Sequence, residues 1–340
     1  MTRKSLAGGL SIATILALVG AFASSAAQNQ EGGGGTRSGR TPRNQAEFDQ
    51  MFDKISNWGR WGTSDELGTF NLITDAKRKQ AASLVKNGIS VSLAHNPMKE
   101  KSEDNPQPYE VTVAVPKPDS FATTDTYRIS YHGLAHSHLD ALCHIFHKGM
   151  MYNGVSSQMV TAAGCGKEGI QGLKNGIVTR GILLDIPRLK GLPYLEPGTA
   201  VFPEDVEAWE KKAGVKVSSG DVIFLRTGRW ARRAKMGAWG IANQAAGFHA
   251  SIVPWLKARG VALLGSDAAA DVVPSQVEGV RLPVHELVIA GLGMNMFDNQ
   301  DLEAVAETAA KLSRWEFMLS VAPVPVDGGT GFPVNALAIF

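Results

Sequence analysis

Apolar residues recur at helical spacing in two segments of the N-terminal half. Between Gln45 and Asn57 the apolar positions 48, 51, 52 and 55 repeat every three or four residues, which predicts an amphipathic helix. The segment from Asp75 to Asn87 has the same character. The stretch between them is rich in Gly and turn formers, which indicates an ordered loop.

After position 88 the pattern changes to strands. Short β-branched or apolar runs bounded by Gly, Pro or Asp predict strands over 89–94, 109–115, 127–131, 181–184 and 221–226. Helical patterns follow at 203–213, 250–258, 284–290 and 300–313. We see no regular βαβ alternation, and no G-x-G-x-x-G follows the early strands, which argues against a dinucleotide fold. The pattern favours the α/β class, with a mixed sheet and surrounding helices.

The N-terminus reads as a targeting segment. Residues 1–27 place Arg3 and Lys4 before an apolar stretch and end in small residues, which is typical of a signal peptide. A retained membrane anchor is the alternative, because the apolar stretch nears spanning length. Residues 28–44 are predicted to be a disordered linker, and residues 45–340 a single domain. We therefore expect a periplasmic or secreted protein with no stable membrane insertion after signal removal.

Composition narrows the choice of partner. The chain is 44% hydrophobic and 19% charged, as in ordinary globular proteins, and its formal net charge is +2. No long Lys/Arg run occurs in the mature region, which argues against nucleic acid and favours a small-molecule substrate. Cys143 and Cys165 are the only cysteines, so no disulfide framework is indicated and their pairing stays open. Cys143 is interpreted as a small buried hydrophobe.

Five of the eight histidines and an aspartate fall between positions 132 and 147. Side chains two apart on a strand share a face, so His136, His138 and Asp140 can converge on one divalent ion. His132 has the same parity, and a twisted or bulged strand would present it to that ion or to a close pair of ions. If so many polar rings were packed together without a common ligand, buried donors would be left unsatisfied. The cluster therefore predicts a metal site.

Three further residues are candidates for the chemistry. His144 follows Asp140 by four residues, which suits a base for metal-bound water or a ligand to a second ion. His285 and Asp298 put polar groups into apolar stretches, although Asp298 has the alternative of capping the next helix. His147 is interpreted as a bystander, His95 has no assigned role, and His249 is a possible pocket residue. Four aromatic residues are candidate pocket walls or plain core: Trp61, Phe146, Tyr152 and Trp230.

The segment from Ser137 to His144, SHLDALCH, resembles the T-H-x-D-x-P-x-H portion of the metal-dependent cyclase family motif, with Leu142 in place of proline. This family includes bacterial kynurenine formamidase and isatin hydrolase. His285 resembles the later family histidine, and residues 293–299 resemble its G-I-x-I-x-E-N segment, with Asp298 in place of glutamate. Similarity also covers 181–185, 226–228 and 330–335. The resemblance implies a swivelling β/β/α cyclase-type fold and a homodimer or higher oligomer.

The resemblance leaves one ligand open. The family's first metal histidine stands four residues before the second, which here is Leu134, so the role falls to His136 or, with a small insertion, to His132. The Asn57–Gly62 opening resembles a less characterised branch of the family. The substrate of the formamidases is therefore not carried over.

Together these features suggest a metal-dependent hydrolase that cleaves a small amide, lactam or ester with a metal-activated water. The ion, Zn or Mn, would be held by His138, Asp140 and one of His132 or His136. His144 would act as the base, while His285 and Asp298 position the nucleophile or hold a second ion. The alternatives are a secreted binding protein without turnover, and a cyclase or dehydratase acting on a hydroxy acid or polyketide.

Overall fold

A nine-stranded mixed sheet lies at the centre of the molecule. It is seen in a computed structural model that describes residues 40–340, so the predicted signal peptide and most of the predicted linker lie outside the described residues. The strand order is β1-β15-β13-β7-β9-β11-β12-β4-β14. Six strands at the centre of this sheet and beside the site have these bounds: β4 (His138–Asp140), β7 (Ile177–Asp185), β9 (Val222–Arg226), β11 (Leu263–Ser266), β12 (Met296–Asp298) and β13 (Glu316–Val321).

The remaining strands are short or lie outside the sheet. They are β1 (Ser90–Ser92), β2 (Glu110–Val113), β3 (Asp125–Arg128), β5 (Val160–Thr161), β6 (Gly164–Cys165), β8 (Ala200–Val201), β10 (Gly247–Phe248), β14 (Gly331–Pro333) and β15 (Leu337–Ile339). The pairs β2–β3, β5–β6 and β8–β10 each form a separate two-stranded sheet. The predicted strands over 109–115 and 127–131 therefore form a hairpin of their own.

Helices cover the central sheet. They are α1 (Gln45–Ile55), α2 (Asp75–Ala82), α3 (Ile186–Lys190), α4 (Pro203–Ala213), α5 (Arg229–Met236), α6 (Val253–Arg259), α7 (Pro283–His285) and α8 (Glu303–Leu312). A π-helix over Glu286–Leu292 continues α7. Short 3₁₀ turns occur at Gly68–Leu72, Leu142–His144, Tyr152–Gly154, Ser157–Met159, Ile170–Leu173 and Ala250–Ile252. Among the described residues no helix has both the length and the apolar character needed to cross a bilayer.

The two N-terminal helices illustrate how sequence sets their length. The side chain of Asn44 accepts a hydrogen bond from the Glu47 amide and so starts α1, which buries Phe48 and Phe52. Helix α2 ends at Ala82, earlier than the pattern predicts. The residues that follow it are almost all exposed, so there is no apolar face to support further turns.

The mixed sheet confirms the predicted α/β class, but the expected lack of βαβ alternation is wrong at its centre. The strands β7, β9, β11 and β12 are parallel neighbours, and helices lie between them in the chain. Strand β11 was not predicted, and it is buried along its whole length. Such a run has no alternation to distinguish it from a buried helix.

Candidate metal centre

Strand β4 brings the central carboxylate and histidine together. It pairs antiparallel with β12 on one side and with β14 on the other. Asp298 of β12 stands directly opposite His138, so both side chains lie on one face of the sheet with Asp140, two residues along. Leu139 points to the other face and is fully buried. The register therefore places three polar groups side by side.

Each histidine on this face has one ring nitrogen fixed by the protein. His138 Nδ1 donates to the His136 carbonyl over 2.8 Å, which leaves Nε2 facing Asp140 Oδ1 at 3.2 Å. His132 Nε2 lies 2.8 Å from the Thr330 hydroxyl, which leaves Nδ1 3.1 Å from the same Asp140 oxygen. Fixing one nitrogen in this way is how proteins aim the other at a metal.

His285 enters the site from the start of the π-helix. Its Nδ1 lies 2.6 Å from Asp271 Oδ2, and the amides of Val284 and His285 donate to the same carboxylate. The ring is thereby fixed with Nε2 3.1 Å from Asp298 Oδ2. A carboxylate behind a histidine is a recurrent feature of metal sites.

Two overlapping groups of potential ligands result. His132, His138 and Asp140 form one, and Asp140, His285 and Asp298 form the other, with the ligand atoms of each group within 4.8 Å of one another. Both oxygens of Asp140 and Oδ1 of Asp298 are buried and lack a hydrogen-bond donor. Buried carboxylate oxygens normally have a partner, so these atoms and the imidazoles fit a divalent cation.

The pKa shifts of the site residues also favour a bound cation. Burial opposes protonation of His285, yet Asp298 and Asp271 raise the pKa of its ring well above the usual range. At His138 burial is likewise outweighed by Asp140, which raises the pKa of that imidazole. Asp140 is buried too, but His144 and His138 lower the pKa of its carboxyl well below the usual range. The buried carboxylates thus favour positive charge beside them. A metal ion would supply this charge in place of protons on the imidazoles.

His144 lies against this group without belonging to it. Its ring stacks on that of His132, with ring centroids 3.7 Å apart and planes 7° from parallel. Burial lowers the pKa of His144 to about 4 despite the opposing charge of Asp140. The imidazole is therefore neutral at pH 7 and can accept a proton.

His136 takes a different position from the other predicted ligands. Strand β4 begins only at His138, so strand alternation does not govern the direction of His136. Its Nε2 lies 3.4 Å from the Gln107 carbonyl, and it is in neither group of potential ligands. Of the two alternatives left open by the sequence, the geometry favours His132.

The other candidate residues lie elsewhere. His147 stacks on Phe52 and pairs with Glu286, and His95 stacks on Trp230. His249 caps the turn at Ala250–Ile252. Among the aromatic candidates, Tyr152 and Trp230 are buried with their polar atoms bonded to Asp65 and to the Gln300 carbonyl, while Phe146 is exposed and Trp61 lies under the Arg60 guanidinium.

Sequence reasoning did not identify the groups that orient the ligands. Asp271 lies 14 residues before His285, and no local pattern links the two. Thr330 is within a stretch that carries the family resemblance, but nothing in that stretch pairs it with His132. Arg229 donates to the Leu134 carbonyl, and Asn299 Nδ2 donates to the Gly133 carbonyl over 2.7 Å, which fixes the turn after His132.

The disulfide left open by the sequence is present. Cys143 is buried, as interpreted, but it is bonded to Cys165 across 22 residues. It is therefore a cross-link and not merely an apolar side chain. The bond lies next to His144, and neither cysteine belongs to a group of potential ligands.

Comparison with known proteins identifies the family. The model of the family Cyclase, described as “Putative cyclase”, matches residues 73–271, so the chain belongs to this family. No curated protein is similar enough to count as a relative.

Three solved structures share the fold. A novel cyclase has 29% sequence identity and a TM-score of 0.77, and the match covers 85% of this chain and 99% of that one. An isatin hydrolase bound to the product analogue thioisatinate has 18% identity and a TM-score of 0.52, covering 77% and 95%. Isatin hydrolase A from Labrenzia aggregata, bound to benzyl benzoate, has 17% identity and a TM-score of 0.50, covering 76% and 94%. The predicted cyclase-type fold is confirmed.

Proposed function

We propose that this protein is a metal-dependent hydrolase that cleaves a small amide, lactam or ester. The observation that carries the proposal is the set of buried carboxylate oxygens without a hydrogen-bond donor, both of Asp140 and Oδ1 of Asp298, which lie among imidazoles. Such a set supports binding of Zn or Mn, and it accommodates one ion or a close pair. Structural neighbours named as isatin hydrolases make a lactam the first substrate to try.

In this proposal, metal binding and proton transfer belong to different residues. His132, His138 and Asp140 would hold one ion, and Asp140, His285 and Asp298 would hold that ion or a second one close to it. When bound, the ion supplies Lewis acidity to the carbonyl and lowers the pKa of water. His144 is neutral and takes the proton of the attacking water. It returns that proton to the leaving nitrogen or oxygen as the single bond between this atom and the carbonyl carbon breaks, so that an acid and an amine or alcohol are formed.

A substrate panel with metal control tests this proposal. Formyl-anilines, lactams and esters are incubated with protein as purified, with protein treated with a chelator, and with treated protein given back Zn or Mn. We expect acid release that the chelator abolishes and the metal restores. Release that is indifferent to the chelator, or none from any member of the panel, would contradict the proposal.

The family and its 29% identical cyclase neighbour favour a second candidate, a cyclase or dehydratase acting on a hydroxy acid or polyketide. Water is a substrate of the hydrolase and a product of the dehydratase. Incorporation of oxygen-18 from labelled water into the acid product therefore separates the two. The binding protein without turnover is the outcome in which metal binds but no substrate is consumed.

We also propose that the protein works outside the cytoplasm, in the periplasm or after secretion. The signal-like residues 1–27 and the Cys143–Cys165 disulfide support this, because disulfides persist in oxidising compartments. A homo-oligomer is proposed as well. It is supported by the exposed apolar side chains of the β2–β3 hairpin, which a second copy would cover.

A further inference from the structure

The disulfide joins the segment of His144 to a second loop. Cys143 immediately precedes His144 in the turn Leu142–His144, and Cys165 ends strand β6. Both cysteines are buried. The cross-link therefore lies one residue from the proposed base.

Backbone hydrogen bonds bring a third segment to the same point. The amide of Cys165 donates to the Gly328 carbonyl over 2.8 Å, and that of Ala141 donates to the Thr330 carbonyl over 2.9 Å. The Cys143 amide donates to the Glu168 carbonyl over 3.3 Å. The segments 141–144, 164–168 and 328–331 thus meet at the disulfide.

Two of these three segments carry residues that contact the potential ligand His132. The segment 141–144 carries His144, and Thr330 holds Nε2 of His132 at 2.8 Å. His132 and His144 are stacked face to face. A shift of either segment therefore changes how the two rings lie against each other.

The ring of His144 has few other restraints. Within residues 40–340 no group forms a hydrogen bond with it, and its only ring contact is the stack on His132. Besides that stack, its position depends on its backbone, which is restrained by the bond from its amide to the Ala141 carbonyl and by the neighbouring disulfide.

We propose that the Cys143–Cys165 disulfide is a positioning element for His144, and that its reduction slows turnover reversibly. This inference rests on the proposed function, in which His144 is the base. A water-soluble phosphine breaks the S–S bond, yielding two thiols as the phosphine takes oxygen from water. Oxidised glutathione re-forms the bond by thiol exchange and is itself reduced to two thiols.

The first test compares the steady-state kinetics of one preparation when oxidised, when reduced and when re-oxidised. We expect kcat to fall by about tenfold on reduction, because a small misplacement of a catalytic group is costly. KM and bound metal stay unchanged, and oxidised glutathione restores kcat. The double variant Cys143→Ser, Cys165→Ser should match the reduced protein and ignore the phosphine, which controls for effects of the reagent elsewhere. Equal kcat in the oxidised and reduced wild type would overturn the inference.

Hydrogen exchange of the metal-free protein gives a readout that needs no activity. On reduction, peptides covering 140–147 and 326–332 should exchange faster, while helix α4 serves as an unchanged internal control. If the wild type hydrolyses nothing, the proposed function fails, and exchange alone decides the positioning role. Unchanged exchange at both peptides, or free thiols in the protein isolated from its natural compartment, would refute it.

Discussion

The His144 ring is neutral, partly buried and stacked on a potential metal ligand, yet it offers no ligand atom to either group. We therefore expect His144→Ala to lower kcat by about a thousandfold while bound metal stays the same. Steady-state kinetics and elemental analysis of the same sample measure both quantities. The matched control is His95→Ala, which removes a histidine stacked on Trp230 and outside both groups. Full activity of His144→Ala would remove its role as base.

The buried carboxyl of Glu168 should make the stability of the fold depend on pH. Neither of its carboxylate oxygens has a hydrogen-bond partner, and burial, with Glu66 adding to the effect, raises the pKa of this carboxyl to about 8. The unfolded chain titrates near the ordinary value of 4.5. The folded state thus keeps a proton that the unfolded state has lost, so this group's contribution to stability is full below 4.5 and is lost as the pH rises through 8.

The neutral variant Glu168→Gln should therefore unfold with a free energy about 1–3 kcal/mol higher than the wild type at pH 8, and with little difference at pH 4.5. Denaturant titrations at the two pH values measure this. Glu100→Gln, at an exposed glutamate, is the control. A difference that is the same at both pH values would show that the Glu168 carboxyl does not titrate as described.

Site residues could be predicted where a local sequence pattern marks them. His132, His138 and Asp140 were named because they cluster in the chain, and His285 and Asp298 because polar groups stand out in apolar stretches. Asp271 was missed, since only the folded chain brings it to His285. The strand alternation that was applied to His136 fails because β4 begins two residues later.

At the scale of elements, the antiparallel pairing of β4 with β12 sets the geometry of the site. Further along the sheet, Arg226 at the end of β9 links β7 and α8. Its guanidinium donates to Asp185 at the end of β7 over 2.9 Å and to Glu303 of α8 over 2.6 Å. Asp185 is fully buried. Removing the guanidinium leaves this charge without its partner on β9, which is costly in a low-dielectric interior.

Arg226→Leu is therefore expected to lower the free energy of unfolding by about 3 kcal/mol, as measured by denaturant titration. The control Arg78→Leu breaks an exposed pair with Asp75 and should cost at most about 0.5 kcal/mol. Equal losses in the two variants would mean that burial does not distinguish these pairs.

Helix α1 and the fully buried strand β9 were predicted, whereas the equally buried strand β11 was not. Helix α1 matches its prediction closely because one face is apolar and the other is polar. Strand β11 is buried throughout, so no alternation marks it. The helical pattern over 284–290 marks the segment of the π-helix but not its π form, which depends on tertiary packing.

At the scale of the whole molecule, the β2–β3 hairpin is the feature that a lone chain does not account for. It forms a two-stranded sheet of its own, and Val115 and Phe121 near its tip are almost fully exposed. An isolated two-stranded hairpin is marginal in water. The proposed second copy would bury these side chains.

Sedimentation velocity should accordingly find a dimer or higher oligomer at micromolar concentration. The double variant Val115→Ser, Phe121→Ser should shift the population towards monomer, while Val324→Ser, at an exposed valine elsewhere, should not. A wild-type chain that sediments as a monomer at every concentration would contradict the oligomer.

The central claim is that buried carboxylates and imidazoles hold a divalent cation, and elemental analysis of the purified protein tests it most directly. We predict at least one divalent ion per chain, which Asp140→Asn loses because both groups of potential ligands share this carboxylate. A folded wild-type sample that contains no such ion, and takes up none when Zn or Mn salts are added, would contradict the account.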